Sequence, residues 1–165
     1  MSFNKFNLEN FIANHHKDGH LYLLVDGAQI DHSEVSNLEY TYGECIYLFK
    51  GTYEEEAYAY GPILFELNKL DLFQVENQIE LMKAKNSMIL IKSQLDTKQL
   101  KNKLLEKLYI ELEDGGIGVL RYYDPRVLNR LTHIFTSSQK KELLDGFESI
   151  SYMLNELSYE LKYND

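Results

Sequence analysis

The chain has 165 residues, about 19.4 kDa, with 44% hydrophobic and 26% charged residues. That size and balance fit one folded domain and exclude both two large domains and a disordered chain. Its longest apolar runs, such as Met88–Ile91 and Cys45–Phe49, are strand-sized and too short to cross a bilayer. The net charge is −9, and residues 30–80 hold eleven acids against only Lys50 and Lys69. Without a basic surface, phosphate neutralisation has little to drive it, so neither nucleic acid nor an anionic membrane is an expected partner.

The N-terminal segment, residues 1–19, has no basic start followed by an apolar run, so no secretion signal is expected. The lone cysteine, Cys45, has no partner for an internal disulfide, and a reducing cytoplasm suits the chain. Leu21–Val25 reads as a strand buried on both faces and closed by Asp26-Gly27. A helical or turn-rich stretch from Ser33 precedes Cys45–Phe49, which reads as a second buried strand. Thr52 then suits the N-cap of a helix whose first turn holds Glu54, Glu55 and Glu56 and which ends near Gly61-Pro62. Ile63–Leu67 reads as a third strand, residues 73–85 as a helix and residues 87–92 as a fourth strand.

Asp96 caps the next helix, in which Leu100, Leu104, Leu105 and Leu108 fall on one buried stripe. The runs Tyr109–Glu113 and Ile117–Tyr123 flank Glu113-Asp114-Gly115-Gly116 and predict an antiparallel hairpin that joins the sheet. Asp124-Pro125 opens a helix over residues 126–135, and Thr136 caps another that Gly146 stops. In the tail, Ile150, Met153, Leu154, Leu157 and Leu161 share one helical face, so residues 148–165 are expected to form an amphipathic helix. The expected fold is α/β: a mixed β-sheet with flanking α-helices, in one domain over residues 20–147 followed by that short C-terminal helix.

Few residues suggest chemistry. His15, His16, His20 and His32 with Asp26 offer donor atoms that zinc accepts, but they sit in a polar approach to the first strand without cysteine support. Asp26 stands where α/β enzymes place a nucleophile or metal ligand. It is followed by Gly27-Ala28-Gln29, which completes no catalytic pattern, so it reads as a turn-stabilising aspartate. No catalytic residue, metal or cofactor is assigned. A small metal-dependent hydrolase or phosphoesterase using Asp26 and the nearby histidines is the alternative.

Six of the thirteen tyrosines, Tyr40, Tyr42, Tyr47, Tyr53, Tyr58 and Tyr60, fall within the acidic region. Tyrosine suits interfaces because a flat apolar ring with one polar tip tolerates both water and burial. Tyr53, Glu54, Glu55 and Tyr58 are therefore the expected partner-binding residues.

Four stretches occur in an order that resembles one family: Leu21–Ala28, Leu48–Thr52, Gly61–Leu67 and, most specifically, Leu120-Arg121-Tyr122-Tyr123-Asp124-Pro125-Arg126-Val127-Leu128. The chain resembles the DUF4123 domain, the adaptor or chaperone of bacterial type VI secretion. The resemblance implies a non-enzymatic, cytoplasmic protein that binds an effector and helps load it onto the valine-glycine-repeat (VgrG) spike protein. Asp26, Gly61, Pro62, Tyr123, Asp124 and Pro125 match its structural motif. Asp124 and Pro125 make a rigid strand-to-helix corner, from which Arg126 reaches back to a carboxylate or out to a partner. Two departures stand out: the chain has no tryptophan, and little follows Phe147.

Overall fold

A computed structural model describes residues 7–14, 18–67 and 70–162. Six strands form one sheet: β1 (His20–Asp26), β2 (Ile46–Tyr47), β3 (Pro62–Leu67), β4 (Met88–Ser93), β7 (Ser149–Leu154) and β8 (Leu157–Lys162). Their order is β2-β3-β1-β4-β7-β8, and every pairing is antiparallel rather than mixed. A separate two-stranded ribbon pairs β5 (Tyr109–Glu111) with β6 (Ile117–Val119). The α/β class and the single domain hold.

The alternation of β1 explains the layering. Tyr22 and Leu24 face one core, and Leu21, Leu23 and Val25 face the other. On the first face lie α4 (Thr97–Leu108), α5 (Pro125–Ile134) and α6 (Ser137–Leu144). On the second lie α1 (Leu8–Asn14), α2 (His32–Tyr42) and α3 (Leu72–Ala84). The predicted stripe of α4 buries Leu100, Leu104 and Leu108 completely, each worth about 1.5–3 kcal/mol of transfer free energy. Asp31, Asp71, Asp96 and Thr136 each close a capping box at the start of a helix, so local chemistry sets where these helices begin. Leu8 and Ile12 are buried in the second core, so part of the N-terminal segment belongs to the domain.

Four further expectations are corrected. Cys45–Phe49 is not a buried strand: Ile46 and Tyr47 alone pair, on the sheet edge against Leu64 and Ile63, and Leu48 and Phe49 bury their side chains from a turn. The segment after Thr52 is a 3-10 helix over Glu55–Tyr60, with Ala57 outside helical dihedrals. None of its residues is buried, so no apolar stripe rewards a full α-helix there. The β5–β6 hairpin does not join the sheet, because it leaves the end of α4 directly and is tied back to it by the Leu120 N–H on the Leu108 carbonyl, 2.7 Å.

The C-terminal amphipathic helix is the fourth. Residues 149–162 are the hairpin β7–β8, with Asn155 and Glu156 at φ of 51° and 63° in the turn. Positive φ at both central positions is the geometry that matches the right-handed twist of paired strands. The apolar residues suit either periodicity, and pairing with β4, Ile91 opposite Ile150 and Ile89 opposite Tyr152, decides in favour of strand. Ile150, Tyr152 and Leu161 then enter the first core and Met153 the second.

Candidate functional site

Three sequence stretches far apart in the chain meet at one end of the sheet. Asp26 is the last residue of β1, and its Cα partner across the ladder is Pro62, the first residue of β3. The Gly27 N–H donates to the Gly61 carbonyl at 3.0 Å. A Cβ at Gly27 would lie 2.3 Å from the Ala59 carbonyl oxygen, and one at Gly61 would lie 2.3 Å from the Phe49 ring. Close approach of backbone and ring is therefore what both glycines allow.

The third stretch is the turn from β6 into α5. Arg121, across 95 positions of sequence, places Nη2 2.5 Å from Asp26 Oδ2 and 3.9 Å from Asp124 Oδ2. Asp26 is fully buried, and its other oxygen accepts the Ala28 N–H at 3.2 Å. Burial pushes its carboxyl above the ordinary carboxylate range, and Arg121 pulls against that shift. Asp124 is also buried, as the N-cap of α5, and accepts the Arg126 N–H at 2.9 Å. Arg126 grips it with two further bonds, Nε at 3.0 Å and Nη2 at 2.8 Å. Burial works against ionised Asp124, but the bonds from Arg126 and the charge of Arg121 outweigh it and hold its carboxyl below the usual range. Tyr123 is buried beside the pair, and desolvation takes its hydroxyl to about 12. Pro125 occupies the first turn of α5, as its fixed dihedral favours.

This corner uses Asp26, Gly61, Pro62, Tyr123, Asp124 and Pro125 structurally and leaves Arg121 and Arg126 partly in water, at 42% and 46% side-chain exposure. The sequence by itself gives Arg121 no role. Its signal was one charged residue within the apolar and aromatic run Val119–Tyr123, but nothing local pointed to Asp26 as its partner.

The acidic, tyrosine-bearing segment leads directly into the corner. Tyr53 is 95% exposed and Tyr60 69%, whereas Tyr58 packs edge-on against Tyr47 at 5.1 Å, with the Lys50 ammonium over both rings. Glu55 is exposed, but Glu54 is engaged within the fold: it accepts from the Tyr109 hydroxyl at 2.5 Å and the Thr52 hydroxyl at 3.2 Å.

The candidate metal ligands do not converge with Asp26. His20 opens β1, about 20 Å of strand from Asp26, and its ring lies 2.9 Å from Glu66. His32 is exposed at the start of α2, and His15 and His16 lie outside the described residues. Among the described residues no group of three His, Cys, Asp or Glu side chains could hold a metal ion. The Cys45 thiol donates to Glu39 at 3.2 Å, and burial with the Glu39 charge raises it to about 12, far from reactive. Among the described residues no helix is long and apolar enough to cross a membrane.

No curated protein and no solved structure matches the chain. A family model described as a domain of unknown function, DUF4123, matches residues 21–142, which include every residue of the corner, from Asp26 to Arg126, and stop short of the β7–β8 hairpin. With about three quarters of its length matched, the chain belongs to the DUF4123 family.

Proposed function

We propose that this protein is a non-catalytic adaptor that binds a type VI secretion effector and helps load it onto the valine-glycine-repeat spike. The observation behind this reading is membership of DUF4123, a family associated with such adaptors. It is supported by the commitment of Asp26, the best-placed candidate for chemistry, to an ion pair with Arg121. The partner contact we propose is made by Tyr53, Tyr58 and Glu55 of the acidic segment, together with the exposed side of Arg126. Exposed Tyr53 supplies apolar area at low entropic cost, and the surrounding acids steer a basic partner.

Co-expression with each neighbouring gene product, followed by pull-down, tests the adaptor reading; a well-folded protein that retains none of them refutes it. The face is tested by association and dissociation rates at two salt concentrations. Glu55→Gln with Glu56→Gln should slow association, and Tyr53→Ala should speed dissociation. Glu54 is left unchanged in these variants because Tyr109 and Thr52 use it inside the fold. Wild-type rates throughout would remove this face as the contact.

A further inference from the structure

A cleft of about 500 Å³ opens between the end of α4, the β5–β6 hairpin and α6. Its lining is apolar where Leu120, Phe135 and Leu143 meet, and Ile110 from the hairpin stands 38% exposed beside them. Glu111 from the hairpin and Glu142 from α6 also line it, and neither forms an ion pair among the described residues.

Two lysines of α4 at this cleft are already committed. Lys103 lies 3.2 Å from Glu106 and 2.8 Å from Asp145, bridging two further acids of the rim. Lys107 turns inward, donating to the Glu142 carbonyl at 2.9 Å with its ammonium 5.2 Å from the Phe147 ring centroid. Among the lining residues four carboxylates, Glu106, Glu111, Glu142 and Asp145, stand against Lys107, so the walls of the cleft carry net negative charge around an apolar floor. Large apolar side chains also stand in water nearby in the chain: Leu112 at 44% and Ile117 at 72% on the hairpin, and Ile134 at 73% at the end of α5, next to Phe135 of the lining. Exposed apolar area of this kind, edged by one sign of charge, marks an interaction surface.

We propose that this cleft docks a basic amphipathic segment of a protein partner, with apolar side chains filling the cleft and lysines or arginines meeting Glu111 and Glu142. A second copy of the chain is disfavoured as occupant because each copy has a net charge of −9. Acidic walls likewise repel nucleic acid and anionic lipid. The cleft stands on its own geometry; that its occupant belongs to a secreted effector rests on the adaptor reading.

The probe is a synthetic peptide about five helical turns long, with leucines at i, i+3, i+4 and i+7 spacing and lysines elsewhere. It is titrated into the isotope-labelled full chain and followed by amide chemical shifts. Shifts clustering at Ile110, Leu120, Phe135 and Leu143 are expected. The variant with Glu111→Lys and Glu142→Lys should bind about tenfold more weakly, and so should a scrambled peptide of the same composition with wild-type protein. The control reversal Glu76→Lys, exposed on α3 across the sheet from the cleft, should bind as wild type. Shifts located elsewhere, equal binding by the charge-reversed variant, or equal binding of the scrambled peptide overturns the proposal. The pull-down separates the two readings. A neighbouring product retained equally by wild type and the charge-reversed variant leaves the adaptor standing and removes the cleft as its grip. Cleft-specific peptide binding with no neighbouring product retained keeps the cleft and removes the adaptor.

Discussion

Replacing Arg121 by alanine strips the buried Asp26 carboxylate of its counter-charge and leaves it only the Ala28 N–H. Breaking a fully buried pair from one side costs about 3–5 kcal/mol. Arg121 is 42% exposed, so solvent already screens its half of the interaction, and about 2–3 kcal/mol is the expected loss at pH 7. For a chain of this length that lowers the melting temperature by roughly 4–12 °C. The pH dependence identifies the cause. The folded-state pKa of Asp26 lies above its unfolded value, and removing Arg121 raises it further. Between the unfolded and folded values the native state binds more protons than the unfolded one, so the variant loses stability as pH rises through that window. Its deficit relative to wild type should therefore be full at neutral pH and shrink as the pH falls toward the ordinary carboxylate range. Adding Asp26→Asn should recover part of the loss and flatten the profile. Urea denaturation by circular dichroism at pH 7 and pH 5 measures both effects. An Arg121→Ala protein as stable as wild type at neutral pH, or a deficit that grows on acidification, would refute the assigned role of the pair.

Asp124→Ala removes the N-cap of α5 and the anchor of Arg126 and should cost about 1–2 kcal/mol; since its folded carboxyl is held low, that contribution is present above the unfolded value and fades as pH falls through the folded one. Thermal melts across pH check this, and loss of partner binding without loss of stability would instead make it a contact residue. Gly27→Ala drives a Cβ to within 2.3 Å of the Ala59 carbonyl and should sharply reduce soluble yield and melting temperature, whereas Gly51→Ala, at positive φ in open space, should cost only about 1 kcal/mol; equal melting temperatures contradict the close approach. Glu156→Gly relieves a positive φ in the β7–β8 turn and should stabilise the chain by roughly 0.5–1 kcal/mol. In a helix the same change would destabilise by about 1 kcal/mol, so the sign measured in denaturant titration distinguishes the two structures.

The amino-acid sequence by itself determined what short-range chemistry controls. Capping residues started α2 to α6 near where Asp31, Asp71, Asp96, Asp124 and Thr136 stand, and the apolar run of β1 announced a strand covered on both faces. The order of its motifs, independent of packing, points to the family. Tertiary structure decided what depends on partners distant in the chain. Residues 149–162 fit a helical stripe as well as alternating strands, and only the free edge of β4 selected the hairpin. The β5–β6 ribbon stayed off the sheet because α4 delivers it elsewhere, and that placement created the acidic cleft. Arg121 found Asp26 across 95 residues, a pairing that no local period encodes because an ion pair depends on distance in space rather than along the chain.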